Sequence, residues 1–164
     1  MLLFVTGALL LAESVAGVHW TAPAGWKAGA QKPMRAATYE VPNAPGDSDP
    51  TECVIYFFGQ GQGGSVQANI DRWKGQFSPP ANAPTHTKTV NGLNVTTIDL
   101  SGTYAGMAGM GGAPGAPKPG YRMLGAIVEN PGGNLFIKLA GPAKTIGANQ
   151  AKFDQLLGSF GKDK

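Results

Sequence analysis

The stretch Val54-Ile55-Tyr56-Phe57-Phe58, Gly59-Gln60-Gly61-Gln62-Gly63-Gly64, Ser65-Val66-Gln67-Ala68-Asn69-Ile70-Asp71-Arg72-Trp73-Lys74-Gly75-Gln76-Phe77 decides the fold. Its first five residues are apolar without alternation, which marks a strand covered on both faces. After the glycines the spacing changes. Val66, Ile70, Trp73 and Phe77 share one face of a helix, Ser65 is a natural N-cap, and Pro79-Pro80 ends the element. Gly59, Gly61 and Gly64 match G-x-G-x-x-G, but a dinucleotide site also needs a parallel βαβ unit and an acid about 20 residues further on. Here Pro79-Pro80-Ala81-Asn82-Ala83-Pro84 follows, and then a hairpin. Gly64 is not followed by the Lys-Ser/Thr of a phosphate-binding P-loop either. The glycines therefore read as a tight connection from a central strand into a helix, where positive φ and close backbone approach are needed.

Outward from this stretch, residues 34–41 alternate with period two and predict a strand ahead of the 42–50 Pro/Gly/Asp loop. The strand 52–58 pairs with it antiparallel. Residues 85–90 and 93–100 are joined by Asn91-Gly92, a strong hairpin signal because a type I′ turn needs positive φ at both positions. Residues 121–129 and 134–139 form a second hairpin through Asn130-Pro131-Gly132-Gly133. Between the hairpins lies a long Gly/Ala/Pro/Met loop, 104–120, of the kind that carries function or stays disordered. A last helix starts near Thr145, with Ile146, Asn149, Phe153, Leu156, Leu157 and Phe160 inward. The order is β-β-α-β-β-β-β-α, with a further strand or arm at 19–26. It specifies an α+β protein, an antiparallel β-sheet with packed helices.

The amino terminus sets the compartment. Leu2 to Ala12 is an apolar run too short to span a bilayer, and Ser14 and Ala16 supply the small residues of a signal-peptidase site. The reading is a signal peptide at 1–16 and one domain at 17–164, exported to the periplasm or beyond and without a stable membrane span after cleavage. Thirteen basic and ten acidic residues give a net charge of +3. The basic residues are dispersed along the chain, which argues against nucleic acid as a partner. Cys53, the single cysteine, opens an apolar strand and reads as a buried thiol.

No hydrolase, zincin or haem motif is present, so the expectation is a non-catalytic protein without a cofactor. Asp47, Asp49 and Glu52 match no EF-hand spacing and read as solvated turn residues. The candidate binding residues are Gly63, Gly64, Ser65, Asn69, Arg72, Trp73 and Gln76. The free N–H groups at Ser65–Gln67 would suit a small anionic ligand, and the polar row Asn69, Arg72, Gln76 with Trp73 would suit a protein partner. Met107 and Met110 are weak candidates for cuprous copper.

The whole pattern resembles the PsbP-like superfamily. The resemblance rests on Trp20, Pro23, Gly25 and Trp26 at the start, the amphipathic helix, the paired hairpins, and Phe153 to Phe160 in the closing helix. The block Gly63, Gly64, Asn69, Arg72, Trp73, Gln76 is similar to that of uncharacterised exported bacterial proteins with G-G-x-x-x-N-x-x-R-W-x-x-Q. The resemblance implies an α/β/α sandwich and a binding or accessory role with an unspecified partner. It carries over neither the photosystem nor the Ran-binding activity of other members.

Overall fold

The structure is a computed structural model that describes residues 12–106 and 116–164. The elements in order are β1 (Ala12–Val15), β2 (Val18–Thr21), β3 (Lys27–Ala28), β4 (Arg35–Val41), β5 (Thr51–Phe57), α1 (Val66–Gly75), β6 (Thr85–Val90), β7 (Leu93–Tyr104), β8 (Lys118–Glu129), β9 (Leu135–Pro142), α2 (Ala143–Gly158) and β10 (Gly161–Lys162). A seven-stranded antiparallel sheet runs β3-β4-β5-β9-β8-β7-β6, and β1-β2-β10 form a small second sheet. The result is the expected α+β architecture.

Strand β5 lies between β4 and β9, as its continuous apolar character requires. Side chains alternate across the sheet and build two cores. Cys53, Ile55, Ile137, Leu139, Ala126 and Val95 face α2, whose Ile146, Phe153, Leu156 and Leu157 cover them. Ile98, Leu100, Met123, Ile127 and Phe136 face Ile70, Trp73 and Phe77 of the α1 segment. Helices on both faces make the α/β/α sandwich.

Local chemistry explains the joints. The Ser65 hydroxyl accepts from Ala68 N–H at 3.1 Å and starts α1. Asn91 takes φ 48° and Gly92 φ 80° in the β6–β7 turn. The Asn91 amide also donates to Phe160 O at 2.7 Å, which ties that hairpin to the end of α2. The opening tryptophans anchor the other side. Trp20 Nε1 donates to Tyr39 Oη at 2.8 Å and its ring stacks on Phe160 at 5.6 Å, while Trp26 Nε1 donates to Asn149 Oδ1 at 3.3 Å.

Three features depart from the sequence reading. Strands β7 and β8 extend to pair Tyr104 with Lys118, so the ends of the expected 104–120 loop are strand. Its Met107 and Met110 lie outside the described residues. Asp47 and Asp49 are not merely solvated, because Asp47 accepts from Thr145 Oγ1 and Asp49 from Tyr121 Oη, each at 2.6 Å. Finally, residues 12–15 of the expected leader pair with β2, and Asn130 Nδ2 donates to Ala16 O at 3.0 Å. Cleavage after Ala16 would remove β1 and leave β2 paired with β10.

Candidate functional site

The Gly63-to-Gln76 block closes on itself. A Cβ on Gly63 would come within 2.7 Å of Phe136 and 2.8 Å of Phe58, so only glycine lets the loop lie on those rings. Asn69 is buried, and its amide donates to Gly63 O and Ser65 O, both at 2.8 Å. Its Oδ1 accepts from Arg72 Nη2. Loop and helix are thereby stapled together by one side chain. Gly64, at φ 82°, completes the turn.

Trp73 corrects the idea of a tryptophan offered to a partner. It is 3 % exposed, packed over Gly125 and Ile98. The outer face of α1 carries instead a local Gln67–Asp71 hydrogen bond of 2.8 Å. Arg72 is exposed and held by Asn69. Gln76 is buried and points elsewhere: its Oε1 accepts from Lys138 Nζ.

That contact leads to the site which the sequence reading missed. Helix α1 covers the β7–β8 half of its sheet face, and among the described residues the half over β4, β5 and β9 forms a trough of about 470 Å³. Tyr56, Tyr104 and Tyr121 line it, with Val54 and Ala140 between them and Lys138 on the floor. Tyr104 and Tyr121 stack at 5.7 Å with 12° between their planes. At the rim, Arg35 lies over the Tyr56 ring at 5.7 Å and pairs with Glu52 at 3.2 Å. Lys118 lies over Tyr121 at 5.4 Å, with Asp49 at 3.7 Å.

Lys138 differs from those two cations. It is 7 % exposed, and its ammonium is bonded to neutral groups, Gln76 Oε1 and Tyr104 Oη, the latter at 2.8 Å. Among the described residues no carboxylate pairs with it. Burial, reinforced by the Arg72 charge, lowers its pKa to about 7. Burial likewise raises Tyr104 to about 12, so the ring hydroxyls stay protonated near neutral pH. The rim pairs offset their own charges, so among the described residues Lys138 is the amine without a carboxylate partner in this concave aromatic site.

Other candidates are weaker. A groove of about 280 Å³ between β6, β7 and α2 contains Asp99, but Arg122 already holds that carboxylate at 2.9 and 2.7 Å. Cys53 is buried, and burial pushes its thiol well above the usual range. Among the described residues no three His, Cys, Asp or Glu side chains come together as metal ligands, and no helix is long and apolar enough to cross a membrane.

Comparison with known proteins bears on the fold. No family model and no curated protein matches the chain. Among solved structures, cyanobacterial PsbP (CyanoP) from Synechocystis sp. PCC 6803 superposes with a TM-score of 0.57 at 12 % identity, over 98 % of this chain and 96 % of that one. A protein of unknown function from Pseudomonas aeruginosa superposes with a TM-score of 0.50 at 9 % identity, over 92 % and 94 %. The fold of this chain is PsbP-like.

Proposed function

We propose that this PsbP-like chain is an exported, non-catalytic binding domain whose tyrosine-lined trough takes a small ligand with an acidic group and a flat apolar body. The observation that carries the reading is Lys138, a buried ammonium with no carboxylate beside it among the described residues. An uncompensated buried charge is costly, and an anionic ligand would relieve that cost. Arg72 adds positive charge from the side, while Arg35 and Lys118 are neutralised by Glu52 and Asp49. Tyrosine faces suit a planar ligand body.

The G-G-x-x-x-N-x-x-R-W-x-x-Q block is a support in this reading, not the contact surface. Its glycines and Asn69 seat the loop, Trp73 seats the helix, and Gln76 fixes the Lys138 amine. Export rests on the apolar leader and the small residues at Ser14 and Ala16. Calorimetric titration with benzoate and inorganic phosphate, with benzyl alcohol as the neutral control, tests the ligand class. Benzoate is expected to bind wild type and to lose at least about tenfold in affinity to Lys138→Met, since one charge-assisted hydrogen bond contributes roughly 1.5–3 kcal/mol. Equal affinity for benzoate and benzyl alcohol would remove the basis for an anion site.

A further inference from the structure

The amine that makes the trough attractive to anions is also placed to react. Lys138 lines the trough, and Gln76 Oε1 and Tyr104 Oη hold its Nζ in place. Two neutral partners fix its position. Desolvation then favours the free base, and Arg72 acts in the same direction. A desolvated lysine next to another cationic group is the arrangement that activates an amine toward carbonyl carbon. Lys27 is exposed and Lys74 half-buried, neither as enclosed as Lys138.

We propose that the trough captures small aldehydes bearing an acidic group, with the Lys138 amine condensing on the carbonyl to form an imine. The inference rests on the trough being an anion site, which selects the ligand before the bond forms. The Nζ lone pair adds to the carbonyl carbon and gives a carbinolamine. The carbonyl oxygen then departs as water, taking both amine hydrogens, and a carbon–nitrogen double bond remains. Nothing is oxidised or reduced, and hydrolysis reverses the step. Tyr104 Oη, 2.8 Å from Nζ, is close enough to relay protons during the exchange. The flanking tyrosine rings would pack on the aldehyde's planar body.

The test is reductive trapping on the full chain. The protein is incubated near neutral pH with 4-formylbenzoate and cyanoborohydride, which fixes an imine as a secondary amine, and the adducts are mapped by peptide mass spectrometry. Lys138 is expected to label at least about tenfold faster than Lys27 or Lys74, because its burial favours the free base. Excess benzoate should slow labelling at Lys138 and leave that of Lys27 and Lys74 unchanged. Labelling of Lys138 no faster than that of Lys74 overturns the proposal. Benzoate that binds in calorimetry while Lys138 fails to label would leave the anion site standing and remove only the covalent step. Fast labelling by benzaldehyde that benzoate does not affect would do the reverse. Comparing wild-type positions within one sample keeps the outcome independent of whether any variant folds.

Discussion

The Trp73 indole occupies the space that a side chain at residue 125 would need: a Cβ on Gly125 would lie 2.5 Å from Trp73 Cζ3 and 2.7 Å from Cε3. The close approach sets the depth at which α1 sits on β8, and through Gln76 it sets the position of the Lys138 amine. Gly125→Ala should therefore destabilise the fold by roughly 1–3 kcal/mol, as overpacking does. Trp73→Ala should cost roughly 3–5 kcal/mol. Chemical denaturation measures both, and an unchanged midpoint for Gly125→Ala would show that the helix can simply lift.

Lys138 should give stability a pH slope. Its folded pKa, about 7, lies below its unfolded value near 10.5, so the unfolded chain holds more protons between those limits. The penalty of the buried ammonium is complete below about pH 7 and is relieved as pH rises. Groups facing the amine are Tyr56, Tyr104 and Tyr121, the rim pairs Arg35–Glu52 and Lys118–Asp49, and Arg72. The tyrosine pKa values are raised by burial, which works the opposite way above about pH 10. Wild type should gain stability relative to Lys138→Met between about pH 7 and 9.5. Parallel curves for the two proteins would mean that the amine titrates normally.

Asn91 has two separable tasks. It adopts positive φ in the turn, and its amide bonds Phe160 O at 2.7 Å. Asn91→Gly keeps the turn and loses the bond, which should cost about 1 kcal/mol. Asn91→Ala loses both and should cost more. Thermal melts of the pair separate the terms, and the alanine variant matching the glycine one would show no strain in the turn.

Cys53 is fully buried, and burial raises its thiol pKa. It should resist a disulfide reagent in the native protein and react at once in denaturant. Rapid reaction in native buffer would reveal an opening of β5 that its position in the sheet argues against.

Amino-terminal sequencing of protein secreted from a bacterial host should begin at Gly17 if the leader is processed after Ala16. Recovery of intact β1 in the secreted protein would displace the cleavage site.

Period and turn chemistry made most of the fold legible. Apolar spacing located α1 and α2, Asn91-Gly92 located a hairpin, and the hairpin following the 59–64 glycines argued against a parallel crossover. The trough was hidden because its residues come from five strands. Tyr56 stands opposite Phe136, Lys138 opposite Gly125, and Tyr121 opposite both Gly102 and Pro142. Those registers depend on long-range pairing that no local pattern encodes. One signal was available. In Leu135-Phe136-Ile137-Lys138-Leu139-Ala140 a lysine interrupts a run that reads as buried on both faces, and such a position asks what the charge is for. The site block was legible as residues but not as roles, since Asn69 looks exposed on a helical wheel and is buried by the loop, while Trp73, on the apolar face, packs on Gly125.

The small sheet brings two distant parts of the chain together. Val18 lies opposite Lys162, and Asp163 N–H donates to Gly17 O at 2.9 Å. A short linker could therefore join the regions around residues 17 and 163 into a ring, and new ends could be opened in the exposed part of the 42–50 loop. Such a permuted protein would keep the trough intact while freeing β2 and β10 from being the places where tags, surfaces or pulling forces attach. Force applied at residues 17 and 163 would unzip β2 from β10 one bond at a time, long before it loaded the seven-stranded sheet.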